Sequence, residues 1–110
     1  MKKVSLIITL FICCLSTAVL AQNKSFAQAN ELYGKGKYQE AAALYESILK
    51  TQGVAPELYY NLGNAYYKMN ETGLSILNYE RALRLSPRYE NAKVNLELAQ
   101  LRVVDNVKQI

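Results

Sequence analysis

The sequence predicts an all-α fold, an array of antiparallel helix hairpins in which two repeated units are followed by a C-terminal helix. The first observation is internal similarity, because shifting the chain by 34 residues aligns many identical residues. The second is spacing, because apolar residues recur at steps of three and four, as on one face of a helix. The identical pairs include Tyr45 with Tyr79, Glu46 with Glu80, Leu49 with Leu83, Asn61 with Asn95, Leu62 with Leu96, and Ala65 with Ala99.

The unit from residue 56 to residue 89 predicts two helices separated by a short break. The first begins at Pro56, because a proline at the first helical position loses no hydrogen bond, and it runs to Met69. Thr72 is expected to cap the second helix, and Pro87 ends it, because the residue before a proline avoids helical angles. The inward faces are predicted to carry Tyr59, Leu62, Tyr66 and Met69 in the first helix and Ile76, Tyr79 and Leu83 in the second.

The unit from residue 22 to residue 55 follows the same order. A helix over about 25–33 leads through a turn at Gly34, Lys35 and Gly36 into a helix over 38–50. Residues 90–110 form the C-terminal segment, whose helix is expected to run from about Tyr89 towards Asp105. Its predicted inward residues are Ala92, Leu96, Ala99 and Val103.

Residues 1–21 are predicted to be a secretory signal peptide. Two lysines follow Met1, and no charge occurs from Val4 to Leu20, as in a basic segment followed by an apolar one. Small residues precede a cleavage point after Ala21. The alternative is a retained membrane anchor, because the apolar stretch approaches the length of a spanning helix. Under either reading we expect the remainder in the periplasm, free or on the periplasmic side of the membrane.

Composition argues against several classes of function. Cys13 and Cys14, the two cysteines, lie in the predicted signal segment, and the chain has no histidine. Without thiols and imidazoles the usual nucleophiles, general bases and metal ligands are missing, so we expect neither an enzyme nor a cofactor. The 13 basic and 9 acidic residues are interspersed rather than gathered into a basic stripe, which does not favour nucleic-acid binding.

The second unit resembles the tetratricopeptide repeat. All eight signature positions of that repeat are filled, with tyrosine for the usual tryptophan and serine for the usual first alanine. The resemblance implies a right-handed superhelix of helix hairpins with one concave face, and a protein or peptide partner rather than a substrate. The matching residues are Tyr59, Leu62, Gly63, Tyr66, Ser75, Tyr79, Ala82 and Pro87.

The first unit matches the repeat less well. Ser25, Gln28 and Gly53 occupy the positions of its tryptophan, leucine and proline, which leaves the start of the first helix weakly specified. The residues that do match are Ala29, Leu32, Tyr38, Ala41 and Tyr45. The C-terminal helix resembles the solvating helix that ends such arrays.

A narrower resemblance concerns the order of segments. A signal peptide, two repeats containing the stretches 61–67 and 78–85, and the stretch 95–99 are similar to the N-terminal part of BatE-type proteins of Bacteroides aerotolerance operons. Members of that family continue into further domains and membrane segments, so the chain would be a short or truncated member. The resemblance implies an envelope adaptor or scaffold in a membrane-associated aerotolerance complex, which contacts the membrane only through the N-terminal segment or its partners.

The first helix of each unit and the C-terminal helix are expected to line the concave face as a partner-binding groove. Aromatic and aliphatic side chains would bury apolar surface of a peptide or helix, while amides bond its backbone. Asn61, Lys68 and Asn95 belong to this groove. The outward positions give three rows, namely Phe26, Tyr60 and Val94, then Asn30, Asn64 and Leu98, and then Tyr33, Tyr67 and Leu101.

Alternative interpretations of these residues remain open. The row of Tyr33, Tyr67 and Leu101 could pack against a neighbouring helix instead of facing a partner. Lys68 and Arg102 are expected to be solvated charges at the rim. Asn30, Asn61 and Asn95 match the carboxylate clamp that some repeats use to hold a peptide C-terminus, but Phe26 and Asn91 replace its lysines, so this binding mode is not expected.

The second candidate function is self-assembly. Two repeats and one helix bury little apolar area, and about three repeats are normally needed for a stable array. The C-terminal helix carries an extra apolar row of Val94, Leu98 and Leu101. We expect a partner, or a second copy of the chain in a homo-oligomer, to cover this row.

Overall fold

The computed structural model describes residues 25–109, which form five helices and no strand. Helix α1 includes residues 25–34, and the others are α2 (Tyr38–Thr51), α3 (Pro56–Lys68), α4 (Thr72–Leu85) and α5 (Glu90–Lys108). The predicted all-α fold class is therefore confirmed. The predicted signal segment, residues 1–21, lies outside the described residues. Within residues 25–109 no helix combines the length and apolarity needed to cross a membrane.

Each helix packs against the next, so that α3 lies between α2 and α4, and α4 in turn contacts α5. The connections are short, which forces consecutive helices to run antiparallel. The core forms where small residues let backbones approach, and Tyr45, Leu62 and Tyr79 fill the space between them. The fully buried alanines are Ala29, Ala41, Ala65, Ala82, Ala92 and Ala99.

The predicted inward stripes are correct in part. Leu62 and Tyr79 are fully buried, but Leu58 and Ala65 of α3 are also buried and are missing from the predicted stripe. They are buried because α3 packs against α2, α4 and, less extensively, α5, so its covered face is wider than one stripe. The other predicted stripe residues are only partly buried, namely Tyr59, Tyr66, Met69, Ile76 and Leu83.

The turns that connect α1 to α2 and α3 to α4 share one backbone geometry. Gly36 has φ +78° and Asn70, one 34-residue period later, has φ +62°. Glycine and asparagine adopt this left-handed conformation most readily, and it closes a helix by bonding its last carbonyls. The equivalent bonds run from the Lys37 N–H to the Leu32 carbonyl and from the Glu71 N–H to the Tyr66 carbonyl, both 2.9 Å.

The helix ends marked by the two prolines agree with the sequence, but the predicted cap of α4 does not. Pro56 is the first residue of α3, and α4 ends at Leu85, two residues before Pro87. The prediction that Thr72 caps α4 is wrong, because Thr72 is already the first helical residue and Glu71 holds the cap position without a side-chain bond. The left-handed turn ending α3 moves the start of α4 back by one residue.

Helix α5 is longer than predicted and is only partly covered. It continues to Lys108, and Val103 is 41% exposed although the sequence predicts it inward. Helix α3 ends at Lys68, the residue one period before Arg102, so α5 has no α3 beside it from Val103 onward. The side of α5 that would meet a further helix is polar and exposed, with Lys93, Glu97 and Gln100 in place of Tyr59, Gly63 and Tyr66.

The closest approach of two helices occurs between α3 and α4. Gly63 is buried, and a Cβ atom placed on it would lie 2.7 Å from two ring carbons of Tyr79. The Ser75 hydroxyl donates a hydrogen bond of 2.9 Å to the Gly63 carbonyl. A glycine and a serine therefore bring the two backbones together, and the Tyr79 ring lies directly on α3.

Adding a methyl group at Gly63 is expected to destabilise the fold. The Tyr79 ring cannot yield easily, because it is buried and its hydroxyl is bonded to Asn64. We expect Gly63→Ala to lower the free energy of unfolding by about 1–3 kcal/mol, as overpacked cores do. Urea denaturation followed by circular dichroism measures the change.

Gly73→Ala is the matched control. Gly73 is also helical, but no atom lies within 4 Å of an added methyl group. This variant is expected to keep the wild-type stability or raise it by up to about 1 kcal/mol, since alanine favours helix over glycine. Equal stability of the Gly63→Ala variant and the wild type would show that Tyr79 does not pack tightly on α3.

Candidate partner-binding groove

Two neighbouring cavities lie along the side chains of α1, α3 and α5. The first, here called the aromatic pocket, has a volume of about 310 Å³, and the second, the amide pocket, about 240 Å³. Tyr33 and Asn64 line both cavities, so together the cavities form one continuous groove. The aromatic pocket is lined by Tyr33, Tyr60, Asn64, Tyr67, Lys68, Tyr79, Asn95 and Leu98, and the amide pocket by Asn30, Tyr33, Tyr45, Asn61 and Asn64.

The two pockets are copies of each other. Every residue of the amide pocket, moved forward by one period of 34, falls on a residue of the aromatic pocket. Four of the five pairs conserve the residue type, and only the replacement of Asn64 by Leu98 changes the chemistry. The pairs are Asn30 with Asn64, Tyr33 with Tyr67, Tyr45 with Tyr79, Asn61 with Asn95, and Asn64 with Leu98.

One hydrogen-bond arrangement holds the asparagines of both pockets. In the aromatic pocket the Tyr79 hydroxyl and the Asn95 amide group both donate to Asn64 Oδ1, the second bond being 2.9 Å long. The amide pocket repeats this with Tyr45 and Asn61 donating to Asn30 Oδ1. The oxygens of Asn30 and Asn64 therefore serve the fold, and only their NH₂ groups remain for a partner.

The predicted groove omits Tyr45, which the sequence identifies only as a residue matching the repeat, and Tyr79, which it assigns to an inward stripe. Their rings are buried, but their hydroxyls reach the groove and orient its asparagines. A signal for this was present, because each tyrosine follows its asparagine by the same 15 positions.

Tyr60 is held at the edge of the aromatic pocket by two further tyrosines. Its ring centre lies 6.1 Å from that of Tyr79 and 5.0 Å from that of Tyr89, which precedes α5. The Asn95 amide also donates to the Tyr60 hydroxyl at 3.3 Å. Tyr60 is consequently half-buried and ordered, with part of its ring facing the groove.

The two predicted rim charges differ in environment. Lys68 is exposed, lines the aromatic pocket and forms no ion pair with any residue in the 25–109 range. Arg102 is not a solvated charge as predicted, because its guanidinium lies 3.5 Å from the centre of the Tyr67 ring and donates to the Tyr67 carbonyl at 2.8 Å. The Tyr67 carbonyl also accepts from the Asn70 N–H at 3.1 Å, and the negative C-terminal end of the α3 dipole attracts this cation.

Three predicted groove residues line neither pocket. The Phe26 ring packs 6.2 Å from that of Tyr45 and faces a separate cavity beside the loop at residues 52–55. Val94 and Leu101 are 47% and 58% exposed on α5. Tyr33 and Tyr67 are partly buried and also line the pockets. For these two residues, packing against a helix and exposure to the groove therefore both hold in part.

Burial raises the pKa of three of the tyrosine hydroxyls that line the groove. It raises the pKa of Tyr45 and of Tyr79 to about 12 and also raises the pKa of Tyr33 above its ordinary value of 10.0. These phenols are therefore hydrogen-bond donors at neutral pH.

Alkaline pH is expected to unfold the chain partly through Tyr79. Its pKa is higher in the folded than in the unfolded chain, so its stabilising contribution is complete below about pH 10. That contribution is lost as the pH rises from about 10 through 12. In urea titrations at several pH values, Tyr79→Phe is expected to lower stability by about 1 kcal/mol at pH 7 and to reduce the loss above pH 10.

Tyr59→Phe serves as the control, because Tyr59 is not bonded to a groove asparagine. It should show the wild-type dependence on pH. A Tyr79→Phe variant whose alkaline loss of stability equals that of the wild type would contradict the assignment.

Comparison with known proteins supports the repeat. The model of the family described as tetratricopeptide repeat matches residues 26–90, more than half of the chain. Tetratricopeptide repeat protein 16 of Homo sapiens is 31% identical over 68 residues, which are 62% of this chain and 8% of that protein. The TPR repeat-containing thioredoxin TTL4 of Arabidopsis thaliana is 32% identical over 69 residues, 63% of this chain and 10% of that protein.

The chain thus spans a tenth or less of the length of these curated relatives. The 34-residue period, the paired helices, the close contact at Gly63 and the family match all agree. This chain belongs to the tetratricopeptide repeat family.

Proposed function

We propose that this chain is an adaptor or scaffold that binds an extended segment of a partner protein in the groove formed by the amide and aromatic pockets. Tetratricopeptide repeats generally bind protein partners and are not catalytic. The observation that carries the proposal is the duplication of one pocket at a spacing of one repeat. An extended peptide has the same backbone groups at regular intervals, so it can place equivalent groups in both pockets.

The groove offers both hydrogen-bond donors and hydrogen-bond acceptors to a peptide backbone. The NH₂ groups of Asn30 and Asn64 can donate to carbonyls, and the Oδ1 atoms of Asn61 and Asn95 can accept from N–H groups. Within residues 25–109 none of these four groups has another partner. The tyrosine rings supply the apolar surface, and burial of a few side chains against them is enough for affinity of about 1 μM.

The proposal extends to where the chain works. The charge pattern of residues 1–21 favours export, and the order of segments resembles BatE-type proteins. These features support a periplasmic adaptor, free or attached to the membrane, that serves a membrane-associated aerotolerance complex. Its partner would then be an envelope protein.

Self-assembly is the second candidate. Val94, Leu98 and Leu101 are each about half exposed along α5, an unusual density of exposed aliphatic side chains for a helix of 19 residues. A second copy covering this row would place the groove at a subunit interface. This candidate predicts association that depends on α5 and does not require another protein.

Asn64 offers the sharpest test of the adaptor. Alanine is unsuitable there, because it would leave the buried Tyr79 hydroxyl without its acceptor. Asn64→Asp keeps an acceptor for Tyr79 and Asn95, removes the NH₂ donor and adds a charge that repels carbonyl groups. In a crosslinking pull-down from the envelope fraction, we expect this variant to capture partners at least about tenfold less than the wild type.

Asn106→Asp is the matched control, because Asn106 is exposed on α5 and lines neither pocket. It should capture the same partners as the wild type, and circular dichroism should show both variants folded. Equal capture by the Asn64 variant would exclude the groove as the binding site. Capture of nothing but the chain itself, with a dimer in sedimentation velocity, would favour self-assembly.

A further inference from the structure

We infer that the aromatic pocket binds a glutamate side chain within the partner segment, with the carboxylate on Lys68 and the hydrocarbon stem against Leu98 and the tyrosine rings. This inference rests on the proposed adaptor function and names the chemistry that its groove selects. The carboxylate belongs to a side chain inside the bound segment. It is not the C-terminal carboxylate of the partner.

The first argument is the balance of donors and acceptors in the aromatic pocket. The hydroxyls of Tyr33 and Tyr67, the NH₂ of Asn64 and the ammonium of Lys68 are donors without an acceptor among the described residues. Compared with these four donors, the pocket offers one amide oxygen that accepts no hydrogen bond from the described residues, Asn95 Oδ1. An occupant that only accepts hydrogen bonds, such as a carboxylate, satisfies this set better than an amide or an amine.

The second argument is charge. Among residues 25–109, no aspartate or glutamate lines either pocket, and Lys68 is the lining residue that carries a charge. Arg102 adds a second positive charge nearby, where it stacks on the Tyr67 ring. A cationic side chain would be repelled there, while an anionic one is attracted.

The third argument is the shape and apolar lining of the pocket. Leu98 replaces the amide that Asn64 supplies one period earlier, so the aromatic pocket has an aliphatic wall that the amide pocket lacks. Glutamate has two methylene groups to cover this wall, and aspartate has one. The pocket should therefore prefer glutamate to aspartate.

The position of the charge argues for a side chain within the segment. The groove continues from the aromatic pocket into the uncharged amide pocket, where the chain of the ligand can extend. Phe26, which stands where a clamp lysine would be, packs near Tyr45 and faces another cavity. No second cation is therefore placed to hold a terminal carboxylate in the amide pocket.

Fluorescence anisotropy with labelled heptapeptides tests this inference. The first probe has a central glutamate between two leucines and both termini blocked, and the second has glutamine instead. A third is the glutamine peptide with a free C-terminal carboxylate. We expect the glutamate peptide to bind about three- to tenfold more tightly than the other two, with a preference that shrinks as salt is added.

Lys68→Gln should abolish the preference for glutamate, so that the glutamate and glutamine peptides bind this variant with equal affinity. Lys93→Gln is the matched control, because Lys93 is exposed on α5 outside both pockets, and it should keep the preference. Circular dichroism confirms that both variants are folded, so lost selectivity cannot be attributed to unfolding.

Equal affinity for the glutamate and glutamine peptides, or a preference that survives Lys68→Gln, overturns the inference. Tighter binding of the peptide with the free C-terminus overturns it in favour of a terminal carboxylate. If neither blocked peptide binds but the Asn64→Asp variant still loses envelope partners, the glutamate site is wrong and the adaptor function stands. Failure of both experiments removes the adaptor function as well.

Discussion

The contact between the Tyr79 ring and the backbone of α3 connects the core of this protein to its groove. The ring occupies the space that the missing side chain of Gly63 leaves open, and it sets the distance between α3 and α4. The hydroxyl at the far end of the same ring orients Asn64 within the groove. The packing of one aromatic residue thus fixes the helix spacing and the position of a polar group that lines the groove.

The same arrangement occurs one repeat earlier, with a small difference. Tyr45 is bonded to Asn30 as Tyr79 is to Asn64, but the residue one period before Gly63 is the buried Ala29 rather than glycine. An amide from the next helix completes both sites, Asn61 in one and Asn95 in the other. Each pocket therefore depends on residues from adjacent repeats, and neither repeat would form a pocket alone.

The sequence predicted the helices well because their signals are local or periodic. Proline positions, the 34-residue period and apolar spacing set the helix boundaries to within a few residues. Two of the failures share one cause, which is dependence on a neighbouring helix. Val103 is exposed because α3 ends beside it, and Arg102 is packed because it reaches the ring and the carbonyl of Tyr67 at the end of α3. Periodicity within one helix contains no information about where its neighbour stops.

The sequence predicted which helices line the groove. It did not predict which polar atoms of the groove are bonded within the fold. The sequence identified the asparagines, yet it could not show that their oxygens are occupied by tyrosines of the second helices. This requires knowing which hydroxyl reaches across the hairpin. Phe26 was assigned to the groove wrongly. Its position in the 34-residue period matches that of Tyr60, but its ring packs near Tyr45 and faces another cavity.

The polar outer side of α5 limits how long a ligand this chain can bind. Where Gly63 admits the ring of a following helix, α5 has the exposed side chain of Glu97, flanked by Lys93 and Gln100. A further hairpin cannot pack on α5 in the way that α4 packs on α3. A third pocket of the same kind therefore cannot form beyond α5. With helices about 10 Å apart, two pockets accommodate roughly six residues of extended chain at about 3.3 Å each. For the proposed adaptor, these two pockets favour recognition of a short linear motif, with further selectivity supplied by surfaces beside the groove.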